Sequence, residues 1–121
     1  MILQPSAASR PRPRPHWATV TAADLNYVGS ISIDPALLTS VDIRENEQVT
    51  VLDVNNGTRF ETYAIKGEPG EICLNGAAAR LVHVGDSVII LTYVDVDDHE
   101  LAEHRPRVIH VDEHNVEVAM G

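Results

Sequence analysis

The sequence predicts a small, mainly β barrel with short helices, and three observations carry that prediction. At 121 residues the chain holds one domain's core and no more. Its hydrophobic share is an ordinary 44%, yet aromatics are only 4%, so the core must be built from Val, Ile, Leu and Ala, with Val prominent. That composition favours strands. The apolar runs are also short and broken by turn signals, and helix-length apolar patterns are scarce.

The elements follow in order. Residues 1–15 read as a flexible tail outside the core: Pro11, Pro13 and Pro15 alternate with Arg10, Arg12 and Arg14, and proline at every second position removes backbone donors and favours an extended chain. Residues 16–121 form the barrel domain. Ala18 to Thr21 is a short strand, and Asp24 to Tyr27 a turn. Val28 to Ile33 is a second strand, with Ile31 and Ile33 on one face and Ser30 and Ser32 on the other. Asp34 caps a short helix that starts at Pro35 and carries Leu37 and Leu38. Gln48 to Val54 alternates, with Val49, Val51 and Asp53 on one side. Asn55-Asn56-Gly57 is a hairpin turn, and Thr58 to Ile65 runs back as a strand. A loop from Lys66 to Glu71 leads to the strand Ile72-Cys73-Leu74, and Asn75 to Ala79 opens one helical turn. Gly85-Asp86 turns into a buried strand from Ser87 to Val94, and Asp98 caps a short helix that ends before Pro106. Val108 to Val111 and Val116 to Val118 are last strands about a turn at Glu113-His114-Asn115. The segments Glu45–Asp53 and Val84–Thr92 are loosely alike, which hints at two related halves.

Charge narrows the function classes. A formal net charge of −9 repels nucleic acid and anionic membranes. A small acid can still bind where local charges favour it, but Lys66 is the only lysine, so a cationic pocket needs arginine, histidine or the N-terminal amine. Cys73 is the only cysteine and forms no disulfide within the chain, which fits a reduced, cytoplasmic setting. The N-terminus lacks the basic-then-apolar order of a signal peptide, and no apolar run is long enough to span a membrane as a helix.

Three kinds of site find little support. His99-Glu100 and His104 resemble a zinc helix, but five residues separate the histidines and a ligand pair on one helix face needs four. His110 and His114 straddle a strand end and a turn, so no metal is expected. No Gly-x-Ser-x-Gly elbow and no phosphate-cradling glycine loop occurs. What remains is Tyr27-Val28-Gly29-Ser30, in company with Asn56-Gly57-Thr58-Arg59-Phe60-Glu61-Thr62-Tyr63-Ala64-Ile65, Ile72-Cys73-Leu74-Asn75-Gly76-Ala77-Ala78-Ala79 and Val84-Gly85-Asp86. Each block alone reads as an ordinary strand or turn. Together, in this order, they resemble the aspartate 1-decarboxylase family from about His16 to Val111.

The resemblance implies a double-psi β-barrel, a homotetramer with sites between subunits, and a pyruvoyl cofactor made from Ser30 by self-cleavage. Residues 1–29 and 30–121 would be the two products. Ser30 Oγ would attack the Gly29 carbonyl, Gly29 lending the backbone freedom for a bent geometry. Thr62 matches the family's oxyanion donor and Tyr63 its proton donor. The keto group would condense with the substrate amine and act as an electron sink. Arg59 would hold a substrate carboxylate through its planar fork. Thr62, Gly76, Ala77 and Ala78 match substrate-binding positions; His16, Tyr27 and Asn75 match residues that support the site. The implied reaction converts L-aspartate to β-alanine and carbon dioxide, for pantothenate and coenzyme A biosynthesis.

The chain departs from the pattern at its start. The family's lysine, two residues before its histidine, is Arg14 here, between Pro13 and Pro15. Asn26 stands where histidine is common, and Val28 where some members carry glutamate. These changes leave open a decarboxylase for another acidic amino acid, or an unprocessed barrel that serves as a scaffold. They also leave open a partner that assists maturation.

Overall fold

The computed structural model describes residues 2–5, by backbone alone, and residues 18–118. Ten strands, two α-helices and one 3₁₀ segment lie among them: β1 Ile2–Pro5, β2 Ala18–Thr19, β3 Ala22–Asp24, β4 Ser30–Ile33, α1 Pro35–Val41, β5 Gln48–Asp53, β6 Arg59–Lys66, β7 Ile72–Asn75, the 3₁₀ segment Gly76–Leu81, β8 Ser87–Leu91, α2 Asp98–Leu101, β9 Val108–Val111 and β10 Glu117–Val118. β1 is a strand that the proline-rich reading of residues 1–15 did not anticipate. It lies parallel to β9 and antiparallel to β8. Residues 6–17, including Arg14 and His16, lie outside the described residues.

The sheet curls until it meets itself. Its strands run β10-β9-β1-β8-β5-β6-β4-β7-β3, and β2 also pairs with β8. β2 and β3 are almost one stretch. The amide of Val20 donates to the Asp86 carbonyl (2.9 Å) on the β8 side, and that of Thr21 to the Ile72 carbonyl (2.8 Å) on the β7 side. This crossover closes a ring of β2/β3, β7, β4, β6, β5 and β8. Both β3–β7 and β4–β6 are parallel pairs, whereas β5–β6, β5–β8 and β4–β7 are antiparallel. This is a mainly β fold consistent with a double-psi barrel. The two loosely similar segments are β5 and β8 with their leading turns. They lie side by side, and Val51 pairs with Ile90, its equivalent under the sequence similarity.

Alternation builds the core. Ile31 and Ile33 of β4, Val49 and Val51 of β5, Ile72 and Leu74 of β7, and Val88 and Ile90 of β8 all point into the ring and are buried. Each such side chain contributes roughly 1.5–3 kcal/mol when removed from water. α1 adds Leu37, Leu38 and Val41 to this core. It starts where expected: Asp34 Oδ1 accepts from the Ala36 amide (2.8 Å) and Pro35 occupies the first turn. It stops at Asp42, whose φ of 58° is left-handed.

Three element expectations shift. β8 alternates and ends at Leu91 instead of running buried to Val94, because Tyr93 and Val94 face solvent. The cap of α2 is Asp97, and its side chain makes no capping bond; Asp98 is the first helical residue. The strand expected from Ala18 to Thr21 breaks at the crossover and resumes as β3.

The hairpin after β5 is anchored by Asp53. Its Oδ1 accepts from the amides of Asn55 (2.9 Å) and Asn56 (3.2 Å), and Gly57 turns with φ of 76°. Asp53 is buried and its Oδ2 has no donor among the described residues. The neighbouring side chain is Asp86. Two carboxylates bond only through a shared proton. Burial first, and then that bond, push the Asp53 carboxyl above its ordinary range, while accepting the bond holds Asp86 below. The pair joins the end of β5 to the start of β8.

Candidate active site

The register of β4 against β7 makes the site. Ser30 faces Asn75, and Ser32 faces Cys73. Since alternate residues share a face, all four lie on the side opposite Ile31 and Leu74. They are nevertheless buried, Ser30 at 4% and Asn75 at 2% exposure. Burial of polar groups requires bonds, and these four supply them. Asn75 Nδ2 donates to Ser30 Oγ and Ser32 Oγ, both at 3.0 Å. Cys73 Sγ donates to Asn75 Oδ1 (3.3 Å). Ser30 Oγ donates to the Val28 carbonyl (2.9 Å). Burial, with the negative charges of Glu71 and Asp24 behind it, pushes the Cys73 thiol up, so it stays an S–H donor.

The Gly29-Ser30 bond lies where a bend enters β4. The expectation that Gly29 itself needs a glycine's backbone freedom is corrected. Gly29 is not among the residues with positive φ, and a Cβ added there would meet nothing within 4 Å. The constraint falls on Gly76. Its φ is 70°, and a Cβ on it would lie 2.8 Å from Gly29 Cα, 2.9 Å from Gly29 N and 3.1 Å from the Tyr27 carbonyl oxygen. Gly76 is therefore the floor on which the Tyr27–Gly29 segment rests, and only glycine fits there.

Above this floor opens a cavity of about 390 Å³, lined by Tyr27, Val28, Gly29, Ser30, Asn46, Tyr63 and Ile65. Tyr63, half exposed on β6, thus shares a cavity with Ser30. Thr62 points to the other side of β6 and is buried beside Ala64. It lies two residues before Ala64, the partner of Ile31 in the parallel pairing of β4 with β6. Ala77 is exposed and Ala78 half-buried, in the 3₁₀ segment that Gly76 starts.

Arg59 is not brought to Ser30 within the chain. It sits four residues before Tyr63 on β6, roughly 13 Å along the strand, and its Nη2 donates to the Tyr93 hydroxyl (3.3 Å). Arg14 and His16 lie outside the described residues, so their expected places are not assigned. Sequence reasoning missed the roles of Ser32, Cys73 and Asn46. Alternation marked Ser32 as sharing the Ser30 face, and the same rule applied to Ile72-Cys73-Leu74-Asn75 places Cys73 beside Asn75. Asn46, before β5, carried no such signal. Away from this site, His99 is exposed with Nε2 3.7 Å from a Glu100 oxygen, and no helix of the described residues is long and apolar enough to cross a membrane.

Comparison with known proteins bears on this arrangement. Residues 12–118 match the family model described as aspartate decarboxylase. The aspartate 1-decarboxylase of Caldicellulosiruptor bescii is 58% identical over 102 residues, covering 83% of this chain and 80% of that protein. That of Acetivibrio thermocellus is 60% identical over 102 residues, covering 83% and 81%. That of Thermoanaerobacter pseudethanolicus is 56% identical over 107 residues, covering 87% and 92%.

Proposed function

This chain belongs to the aspartate decarboxylase family, and from that premise we propose that it cuts itself between Gly29 and Ser30 and then decarboxylates L-aspartate to β-alanine and carbon dioxide. The product feeds pantothenate and coenzyme A biosynthesis in the cytoplasm. The observation that supports the reading is a buried Ser30 hydroxyl, held at 2.9 Å by the Val28 carbonyl and at 3.0 Å by the Asn75 amide, next to Gly29, whose N and Cα approach Gly76 so closely that no side chain fits there.

Self-cleavage follows from this chain's own atoms. Ser30 Oγ forms a bond to the Gly29 carbonyl carbon, the bond from that carbon to Ser30 N breaks, and an ester joins the two segments. Thr62 donates to the oxyanion that forms on the way. Loss of the Ser30 α-proton expels the Gly29 carboxylate together with the former Oγ. Water then replaces the nitrogen of the dehydroalanine, which leaves as ammonia.

The residues fit the pyruvoyl group that this chemistry leaves at position 30. The Asn75 Nδ2 that donates to Ser30 Oγ remains a donor for an oxygen there, and the space around Gly29 is open on the cavity side. When present, the group supplies a keto function conjugated to an amide, the electron sink that decarboxylation requires. Tyr63 holds a proton at its hydroxyl on the edge of the same cavity and delivers it to the substrate's former α-carbon. The backbone about Gly76, Ala77 and Ala78 closes one side. Arg59, remote from Ser30 in its own chain, binds the substrate carboxylate at the Ser30 site of a neighbouring copy, within a homotetramer.

A denaturing mass spectrum of the purified protein tests the reading. Two species are expected, residues 1–29 and residues 30–121, the second lighter by one ammonia than a fragment beginning with serine. A single full-length species after prolonged incubation overturns it.

A further inference from the structure

We infer that Cys73 and Ser32 are positioning residues that fix which end of the Asn75 side-chain amide points at Ser30. The inference rests on the self-cleavage just proposed and assigns it two residues more. An amide side chain is nearly symmetric in shape: rotated by 180° it would fill the same space with oxygen and nitrogen exchanged. What it presents to Ser30 is therefore decided by its neighbours. The Ser30 hydroxyl has committed its proton to the Val28 carbonyl, so its oxygen needs a donor. Asn75 Nδ2 is that donor only while Oδ1 points the other way, toward Cys73.

Cys73 makes that orientation the stable one. Its thiol, 3.3 Å from Oδ1, is a donor, and sulfur is only a weak acceptor. A rotated amide would set an N–H against it and lose the bond. Ser32 completes the arrangement, since its hydroxyl accepts the second proton of the same Nδ2 at 3.0 Å. Both protons of the amide nitrogen and its oxygen are thus bound, and the amide is held as one rigid wedge between β4 and β7. The consequence is chemical. A donor aimed at Ser30 Oγ keeps the oxygen in place beside the Gly29 carbonyl. An acceptor there would compete with Val28 for the hydroxyl proton.

The test compares Cys73→Ser with Cys73→Ala, and Ser32→Ala with the parent. Serine and alanine occupy nearly the same volume, so they differ mainly in whether a donor faces Oδ1. The fraction cleaved at Gly29-Ser30 is followed by denaturing mass spectrometry from freshly made, uncleaved chain, and thermal midpoints are recorded beside it. Cys73→Ala and Ser32→Ala are each expected to cleave roughly fivefold more slowly, the value of one net hydrogen bond of about 1 kcal/mol. Cys73→Ser is expected to cleave within about twofold of the parent. Cleavage of Cys73→Ala or Ser32→Ala at the parental rate overturns the inference, as does a Cys73→Ser chain that is as slow as Cys73→Ala, since that would mark a packing role. A parent that never cleaves removes the self-cleavage reading itself, and this inference with it. Cleaving parent and equally fast variants remove the inference alone.

Discussion

Gly76→Ala is the substitution that most directly probes how the scissile segment is held. Two costs follow from the structure. At φ of 70° an alanine sits in left-handed backbone, about 1–2 kcal/mol above its preferred state. Its Cβ would also lie 2.8 Å from Gly29 Cα, about 0.7 Å inside ordinary carbon–carbon contact. Backbone stands on both sides of that contact, so no flexible side chain can give way, and overpacking of this kind costs about 1–3 kcal/mol. Together the costs reach roughly 2–5 kcal/mol, a large part of the 5–15 kcal/mol that holds a domain of this size. Relief comes only by moving the Tyr27–Gly29 segment, and with it the carbonyl that Ser30 must attack. A misplacement near 1 Å costs about a hundredfold in rate. The assay is cleavage of uncleaved chain over time, with a melting curve alongside. Gly29→Ala is the comparison, because its added Cβ meets nothing within 4 Å; it should fold as the parent does and cleave within about tenfold of it. A Gly76→Ala chain that cleaves at the parental rate, or faster than Gly29→Ala, would refute the reasoning.

Three further outcomes follow. Ser30→Ala should remain a single chain with no decarboxylase activity and a nearly unchanged fold, losing two hydrogen bonds of about 1 kcal/mol each; two fragments in its mass spectrum would contradict the mechanism. Tyr63→Phe should cleave normally, because the phenol bonds nothing at Ser30, yet its kcat should fall by about 10²–10⁴-fold; unchanged turnover would remove Tyr63 from proton delivery. The Asp53 carboxyl is raised in the folded chain, so the native state keeps a proton that the unfolded chain releases, and this part of the stability is lost as pH rises from 3.8 through the folded value. Asp86 is held low, so its contribution is lost instead as pH falls from 3.8 through its own folded value. Asp53→Asn supplies a permanent donor toward Asp86, and should raise stability at pH 7 by about 1 kcal/mol and remove the decline above 3.8; a lower melting point than the parent at pH 7 would show that no proton is shared.

Most of the barrel was legible because short strands announce themselves through alternation. Ile31 and Ile33 against Ser30 and Ser32, and Val49 and Val51 against Gln48 and Leu52, gave both the strands and their inward faces. The loosely alike segments Glu45–Asp53 and Val84–Thr92 contain β5 and β8, which pair antiparallel. Three features were not legible, for physical reasons. β1 depends on two partners more than 80 residues away in sequence, and nothing local favours a strand that ends in proline. The break between β2 and β3 reflects a change of partner from β8 to β7, which leaves no mark in the composition. The closeness of Asp53 to Asp86 depends on the pairing of β5 with β8, which a single aspartate in a turn motif does not reveal.

The candidate site divides along the same line. Ser30, Tyr63 and Tyr27 do share a cavity, and Asn75 does bond Ser30. The error about glycine came from reading position 29 by itself. A sequence shows that a glycine adjoins the serine, but not which backbone presses on which, and the decisive contact joins residues 29 and 76. The register explains why these two positions act as one unit. Ser30 is paired with Asn75, so the residues flanking that pair, Gly29 before it and Gly76 after it, must meet at the mouth of the same antiparallel ladder. Asn75 reaches to the Ser30 hydroxyl while its neighbour Gly76 lies against Gly29 N and Cα. The Asn-Gly pair at 75–76 therefore does in one strand end what a turn motif alone would not require: it presents a donor to Ser30 and leaves room for Gly29 N and Cα and for the Tyr27 carbonyl.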